Sequence, residues 1–144
     1  KKLHFLIAGD GSLRKTLISD LKEKKLESYI TFIGNIKNIP EFLSALDIYI
    51  QPSVTEGFPL SVLEAMATGL PIICSDAGGL KEMINNNVNG IMYKSGDLNS
   101  LYQMLFKLLS MKSDELLELG RNARYTATNK YSIEEISKQY KKLY

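Results

Sequence analysis

The amino-acid sequence predicts an α/β fold built on a doubly wound sheet of parallel strands. Short apolar runs alternate with amphipathic segments over roughly the first two thirds of the chain. The runs are continuous rather than alternating, as expected of strands that are covered on both faces. The segments between them are long enough for helices, which connect parallel strands through right-handed crossovers. A chain of 144 residues has room for one domain, and we predict a single domain over residues 1–144.

Five apolar runs are predicted as strands, and each is followed by a turn or a breaker. Glycines follow the first two runs, and Pro52 stops the third. The predicted strands are Leu3 to Ala8, Tyr29 to Ile33, Asp47 to Gln51, Pro71 to Ser75 and Gly90 to Tyr93.

Helical spacing of apolar residues predicts the connections between these strands. Pro40 is acceptable in a first helical turn, and Gly69 is a natural C-terminal cap. From Asp97 onward the pattern is helical only, with one apolar stripe from Leu101 to Leu109. The predicted helices are Leu13 to Leu21, Ile39 to Leu46, Leu60 to Thr68, one from Gly79 to about Asn86, and three after Asp97, the last of which starts at Ser132.

Composition and charge exclude several classes of function. Lys and Arg number 18 against 16 Asp and Glu, so the net charge of +2 gives no electrostatic argument for nucleic acid. One cysteine and one histidine exclude an internal disulfide and any metal site built from several Cys or His ligands. No apolar run approaches the roughly 20 residues that span a bilayer, and the N-terminus lacks the pattern of a signal peptide. We therefore expect a cytoplasmic domain that works without a metal.

One membrane-related alternative stays open at the C-terminus. A cluster of lysines and tyrosines there could touch anionic lipid at the inner face of the membrane, although such charges are more often a solvated helix face. The cluster comprises Lys138, Tyr140, Lys141, Lys142 and Tyr144.

The strongest candidate site lies where the third strand passes into a helix. Glu56 stands in the loop, and the helix begins near Leu60. In doubly wound sheets ligands bind outside the carboxyl ends of the strands, so this loop should face the ligand crevice. Free N–H groups of Leu60, Ser61 and Val62 would attract a phosphate. Glu64 lies about one turn into the helix and should also face the crevice, because burying it unpaired is costly.

Structural explanations compete with the functional ones. Two glutamates eight positions apart occur by chance in many chains, and Glu64 could simply be exposed or paired with a lysine. Gly9-Asp10-Gly11 follows a strand, but Arg14 replaces the third glycine of a dinucleotide fingerprint. We expect His4 to be a structural histidine and Cys74 to be an inert core thiol.

Three segments together carry a resemblance to a known family. Glu56 to Glu64 resembles an E-x7-E signature, Ala65 to Ile73 an E-A-x-A-x-G-x-P-V-I run, and Asp76 to Glu82 a G-G-x-x-E turn. This set is similar to the retaining glycosyltransferases of GT-B architecture in group 1, also called family 4. The resemblance covers roughly Leu3 to Leu109 and implies the Rossmann-like, C-terminal, sugar-donor-binding half of a two-domain enzyme.

The resemblance also implies roles for individual residues. Glu56 would be the catalytic carboxylate beside the donor sugar, contacting its hydroxyls and supporting positive charge at C1, and Glu64 would accept hydrogen bonds from the ribose hydroxyls. Pro59 has no N–H where many relatives carry glycine, so one contact to the sugar would be lost. The loop at Ile33 would bind the nucleobase through its backbone. The donor-binding positions so implied are Gly57, Phe58, Pro59, Leu60, Ser61 and Glu64, with Ile33, Gly34 and Asn35 at the base.

The function that the resemblance implies is transfer of a hexosyl group from a UDP- or GDP-linked sugar to a glycan, a lipid or a small molecule, as in polysaccharide biosynthesis. The expected partners are the nucleotide-sugar and an N-terminal acceptor domain of the same full-length enzyme, with neither metal nor other cofactor. The family's phosphate-binding Arg and Lys would precede Lys1, so this chain alone is expected to be inactive. Two alternatives remain: a non-catalytic nucleotide-binding module, and a nucleotide-sugar epimerase of the same architecture.

Overall fold

The five strands form where the apolar runs predict them, and their pairing is parallel throughout. They are β1 (Phe5–Ala8), β2 (Ile30–Gly34), β3 (Tyr49–Gln51), β4 (Ile72–Ser75) and β5 (Ile91–Tyr93) in a computed structural model that describes residues 3–142. β1 pairs with β2, and a second sheet has the order β3-β4-β5. The chain forms two compact units that divide between Phe42 and Leu43. The parallel α/β class is thus confirmed, but the strands pair in two sheets rather than in one.

Seven helices connect and follow the strands in the described part of the chain. They are α1 (Arg14–Glu23), α2 (Ile39–Ser44), α3 (Leu60–Thr68), α4 (Leu80–Met83), α5 (Leu98–Ser110), α6 (Ser113–Lys130) and α7 (Ile133–Lys141). The bounds of α3 agree with the prediction at both ends. Gly69 caps it in the left-handed conformation, at φ +85°.

The fourth helix is shorter than predicted. It ends at Met83 instead of continuing to about Asn86, and Ile84 is already extended. The buried side chain of Asn89 accepts a hydrogen bond from the Asn85 N–H at 2.7 Å and donates to the Met83 carbonyl at 3.1 Å. The Asn89 side chain thus satisfies backbone groups of Met83 and Asn85 that would otherwise be paired within a longer helix, so the chain turns after Met83 instead of extending α4.

In the first unit, β1 pairs with β2 with Phe5 opposite Ile30, and the register shifts by one residue between Ile7 and Ala8. The expectation that every apolar run is covered on both faces is wrong here. Phe5, Leu6 and Ile7 are each 37–39% exposed, because a two-stranded sheet offers few neighbouring strands and helices to cover β1. His4, also exposed, hydrogen-bonds to the Thr31 hydroxyl at 2.9 Å and so has the structural partner that was expected of it.

The core of the second unit is centred on β4, which is buried along its whole length. A cluster of apolar side chains from the sheet, α5 and α6 packs on it, comprising Ile73, Ile91, Tyr93, Leu108 and Leu119. α6 also packs against α3. A Cβ on Gly120 would lie 2.1 Å from the Gly69 carbonyl oxygen, so this approach requires glycine. The close approach holds α3 at the end of the sheet where the candidate site lies.

Cys74 is expected to react very slowly with thiol reagents in the folded protein. Its side chain is fully buried in β4, and burial, with a smaller contribution from Asp76, raises its pKa to about 12. At pH 8 only about one thiol in 10,000 is then the reactive thiolate. Brief alkylation followed by mass spectrometry of the peptide that contains Cys74 should show little label, and denaturant should restore full labelling. Equal labelling of folded and denatured protein would contradict the burial of this thiol.

Candidate functional site

The junction of β3 and α3 holds both glutamates that the sequence singles out. Glu56 is half-buried in the loop of residues 52–59, here called the β3–α3 loop, and Glu64 is exposed on the second turn of α3. Pro59 is the buried N-cap, with an extended backbone at φ −78° and ψ +94°. Its fixed φ suits a chain that turns abruptly into a helix.

One predicted anion contact is wrong. The Val62 N–H is not free, because it donates to the Pro59 carbonyl at 3.1 Å, and the Leu63 N–H donates to the same oxygen at 3.2 Å. This tightened first turn uses an N–H group that the sequence predicts to be free for a phosphate. Leu60 and Ser61, the first two residues of the helix, are exposed, and their N–H groups remain the candidates.

Glu56 is held by side chains that the sequence analysis did not select. Its Oε2 accepts a hydrogen bond from the Ser53 hydroxyl at 2.9 Å and another from Gln51 Nε2 at 3.2 Å. Gln51 Nε2 also donates to Ser53 Oγ at 2.9 Å, and Gln51 Oε1 accepts from the Tyr49 hydroxyl at 2.9 Å. Tyr49 and Gln51 are two residues apart on β3 and therefore share one face of the strand, a spacing that is visible in the sequence. Ser53 lies beyond the end of the strand, in the loop.

Tyr49 is the titratable residue of β3. Burial raises the pKa of its phenol, interaction with the Ser61 side chain opposes the shift, and the negative charges of Glu64 and Glu56 raise the pKa further. The Tyr49 hydroxyl donates to Gln51 Oε1 at 2.9 Å. Tyr49 is therefore linked to Glu56 through the Gln51 side chain.

A pair of glycines before α4 fixes the backbone of the β3–α3 loop. The Gly79 N–H donates to the Gly57 carbonyl at 3.1 Å and to the Glu56 carbonyl at 3.4 Å. A Cβ on Gly78 would lie 1.8 Å from the Glu56 carbonyl oxygen, and one on Gly79 would lie 2.0 Å from that of Gly57. Gly78 also has φ +44°. Only glycine permits this approach.

Phe58 connects the same loop to the C-terminal helices. Its ring is 48% exposed and packs edge-on against Tyr131, with the ring centroids 5.6 Å apart. The Tyr131 hydroxyl in turn donates to the Glu82 carbonyl at 3.0 Å. The segment between α6 and α7 therefore supports the loop that carries Glu56.

The carboxyl ends of β4 and β5 add polar groups beside β3. The buried Ser75 hydroxyl donates to the Ser53 carbonyl, and so does the Ser95 hydroxyl at 3.4 Å. The Ser95 N–H donates to Asp76 Oδ1 at 2.7 Å, and this bond, helped by Lys81 at 3.7 Å, lowers the pKa of Asp76. The backbone that precedes Glu56 is thus tied to its neighbouring strands.

The residues predicted to bind the nucleobase lie in the first unit. Ile33 and Gly34 end β2, and Asn35 follows it. Gly34 adopts φ +78°, and its carbonyl accepts a hydrogen bond from the Gly9 N–H at 2.7 Å. The ends of β1 and β2 are therefore joined through two glycines in left-handed conformations.

Residues 3–142 contain no group of three or more His, Cys, Asp or Glu side chains placed to hold a metal ion. Within the same residues, no helix combines the length and apolar character needed to cross a membrane.

Comparison with known proteins gives consistent matches along nearly the whole chain. The family described as "Glycosyl transferases group 1" matches residues 1–126. The chain is 31% identical over 142 residues to UDP-Gal:alpha-D-GlcNAc-diphosphoundecaprenol alpha-1,3-galactosyltransferase of Escherichia coli, covering 97% of this chain and 36% of that protein. It is 32% identical over 140 residues to N-acetyl-alpha-D-glucosaminyl L-malate synthase of Bacillus anthracis, covering 96% of this chain and 36% of that protein.

The fold is that of GT-B glycosyltransferases. Anabaena Alr3699/HepE, solved in complex with UDP, matches with a TM-score of 0.90 and 23% identity over 98% of this chain and 40% of that one. The chain spans about 36% of the length of the E. coli and B. anthracis relatives.

Proposed function

This chain belongs to the glycosyl transferases group 1 family, and we propose that it is the part of a retaining glycosyltransferase that binds the sugar donor. The enzyme would move a hexosyl group from a nucleotide-sugar to an acceptor. The observation that carries the proposal is the β3–α3 junction, where Glu56 is held by Gln51 and Ser53 and where Glu64 is exposed on the helix that follows.

Glu56 is the proposed catalytic residue. As the bond between sugar C1 and the diphosphate breaks, positive charge grows on the ring, and a nearby carboxylate stabilises the transition state more than the ground state. The departing diphosphate would take the proton of the acceptor hydroxyl on the same face, so the configuration at C1 is retained. This scheme differs from that of glycosidases, in which two carboxylates flank the bond.

The rest of the junction would hold the nucleotide diphosphate. The Leu60 and Ser61 N–H groups stand at the start of α3, where the helix dipole favours an anion. The exposed carboxylate of Glu64 is available to accept hydrogen bonds from the ribose hydroxyls. Gly57, Phe58 and Pro59 would line the sugar side of the loop. Binding of the base by Ile33, Gly34 and Asn35 of the first unit is a separate part of the proposal.

The nucleotide and the partners are part of the same proposal. The E. coli relative is named for UDP-Gal, which supports UDP as the carrier, with GDP as the alternative. The chain covers only about 36% of the length of these two relatives, which supports an N-terminal acceptor domain as its partner in the full-length protein.

We also propose that transfer needs no metal and takes place in the cytoplasm. A peripheral membrane contact through exposed Lys138 and Tyr140 would suit an acceptor such as the diphosphoundecaprenol-linked one of that relative.

The test is a transfer assay on the full-length protein with a panel of UDP- and GDP-sugars. We expect release of the nucleoside diphosphate together with a glycosylated acceptor whose anomeric configuration, read by NMR, matches that of the donor. Inversion at C1 would exclude the retaining mechanism. Nucleotide binding without turnover by any donor would favour the non-catalytic binding module, and interconversion of free nucleotide-sugars would favour the epimerase.

Glu64→Ala in the full-length protein is expected to weaken binding of the sugar donor about 10- to 100-fold and to change kcat much less. A hydrogen bond from a ribose hydroxyl to a carboxylate is equally present in the ground state and the transition state. Steady-state kinetics measures the donor KM and kcat, and calorimetry measures the Kd of the free nucleoside diphosphate. Glu118→Ala, an exposed glutamate on α6, is the matched control and should change neither quantity. Unchanged donor affinity with a collapsed kcat would contradict the ribose assignment.

A further inference from the structure

We propose that Gln51 is a positioning residue that orients the Glu56 carboxylate for the transfer, acting together with Tyr49 and Ser53. This inference rests on the catalytic role proposed above for Glu56. It adds a residue on β3 that does not itself touch the sugar but determines which carboxylate oxygen does.

The Gln51 amide is fixed at both ends. Its Oε1 accepts from the Tyr49 hydroxyl at 2.9 Å, and its Nε2 donates to Glu56 Oε2 at 3.2 Å and to Ser53 Oγ at 2.9 Å. Turning the amide over would place its oxygen against the carboxylate, where two acceptors repel each other. The half-buried side chain therefore has one favoured orientation, in which it presents a donor to Glu56.

Ser53 gives the carboxylate a second donor on a rigid support. Its hydroxyl donates to the same Oε2 at 2.9 Å, and its backbone carbonyl accepts from the fully buried Ser75. Ser75 ends β4, which is buried throughout. Gln51 belongs to β3, and the loop residue Ser53 is tied to β4 through Ser75, so both donors to Glu56 are anchored to the sheet.

This arrangement decides which oxygen of Glu56 is available. Oε2 accepts two hydrogen bonds, whereas Oε1 accepts none from residues 3–142. Val54 and Thr55, which directly precede Glu56, are exposed, with Val54 at 73% exposure, so the contacts that orient the carboxylate come from Gln51 and Ser53. Because Gln51 and Ser53 both bind Oε2, Oε1 is the oxygen left to interact with the proposed donor sugar.

The experiment compares Gln51→Leu, Gln51→Glu and Ser53→Ala in the full-length protein. Removing a hydrogen bond to a charged group should lower kcat about 10- to 100-fold in Gln51→Leu and to a smaller extent in Ser53→Ala. The donor KM and the Kd of the free nucleoside diphosphate should stay within about twofold of wild type, because orientation of Glu56 matters mainly in the transition state. Gln103→Leu, an exposed glutamine on α5, is the matched control.

Gln51→Glu tests positioning through the pH dependence of kcat, which would not change if Gln51 were merely structural. It keeps the shape of the side chain but places a second carboxylate about 3 Å from Oε2 of Glu56, so the two must share a proton. The acidic limb of the kcat–pH profile should move upward by at least one unit. The other titratable groups on β3 and on the elements packed against it are Tyr49, Glu64 on α3 and Cys74 on β4, and all three are unchanged in the variant.

The outcomes separate this inference from the proposed function. Positioning by Gln51 is wrong if Gln51→Leu keeps the wild-type kcat and Gln51→Glu keeps the wild-type pH profile. If Glu56→Gln lowers kcat in the same assays, the proposed function still stands. If Glu56→Gln itself keeps the wild-type rate, the role of Glu56 is wrong. Equal losses of kcat and nucleotide affinity in the folded Gln51 variants would make Gln51 a structural residue. Should Gln51→Leu melt before the assay temperature, the isosteric Gln51→Glu decides alone.

Discussion

Glu56→Gln in the full-length protein is expected to lower kcat about a hundredfold, or roughly 3 kcal/mol, and to leave nucleotide affinity nearly unchanged. Glutamine keeps a carbonyl oxygen that can accept the hydrogen bonds of Gln51 and Ser53, so the side chain should stay in place. It lacks the negative charge that would stabilise the developing positive charge on the sugar. Steady-state transfer assays give kcat, and calorimetry with the free nucleoside diphosphate gives the affinity.

A matched control isolates the effect of charge at this position. Glu118→Gln removes one negative charge from the exposed surface of α6 and should change neither quantity. Near-wild-type kcat in Glu56→Gln would show that Glu56 orients the substrate or supports the loop and provides no electrostatic stabilisation. A large loss of nucleotide affinity would instead show that Glu56 takes part in binding the nucleotide.

Gly78→Ala is expected to reduce transfer more than a hundredfold and to destabilise the fold by about 2–4 kcal/mol. Its Cβ would lie 1.8 Å from the Glu56 carbonyl oxygen, so the β3–α3 loop must move away from α4. The backbone at φ +44° adds the penalty that left-handed conformations impose on residues other than glycine. Thermal melting and kcat measure the two effects separately.

Two further glycine variants distinguish collision from backbone strain. Gly96→Ala has φ +75° and nothing within 4 Å of the new Cβ, so it should lower the melting temperature slightly and leave kcat unchanged. Gly79→Ala has φ −63° but a Cβ 2.0 Å from the Gly57 carbonyl oxygen, so it should lower kcat through collision alone. Wild-type kcat in both Gly78→Ala and Gly79→Ala would mean that the loop position is unimportant for transfer.

Local signals in the sequence were sufficient for most of the secondary structure. The helix from Leu60 to Thr68 is confirmed at both ends because its limits depend on adjacent residues: Pro59 with its fixed φ and Gly69 with its left-handed cap. The fourth helix was predicted too long because its end depends on the Asn89 side chain, which reaches back to Asn85. A contact of that kind has no signature in helical periodicity.

Burial was predicted less well than element type. A continuous apolar run predicted that β1 is covered on both faces, yet its residues are exposed in the two-stranded sheet. The run of β4 has the same pattern and is fully buried between two neighbouring strands. The difference arises because burial depends on how many other elements pack against a strand, which the strand's own residues do not specify.

By itself the sequence determined the parallel α/β class, the family and the position of Glu56 and Glu64 at a strand–loop–helix junction. The tertiary structure alone decided that Val62 has no free N–H, that the Tyr49 hydroxyl binds Gln51, and that Gly78 and Gly79 touch the loop backbone. The class and the motif follow from residue order and local conformational preference. The approach of Gly78 and Gly79 to the loop backbone joins segments that are distant in sequence, and such distances are fixed only when the sheet and its helices pack together.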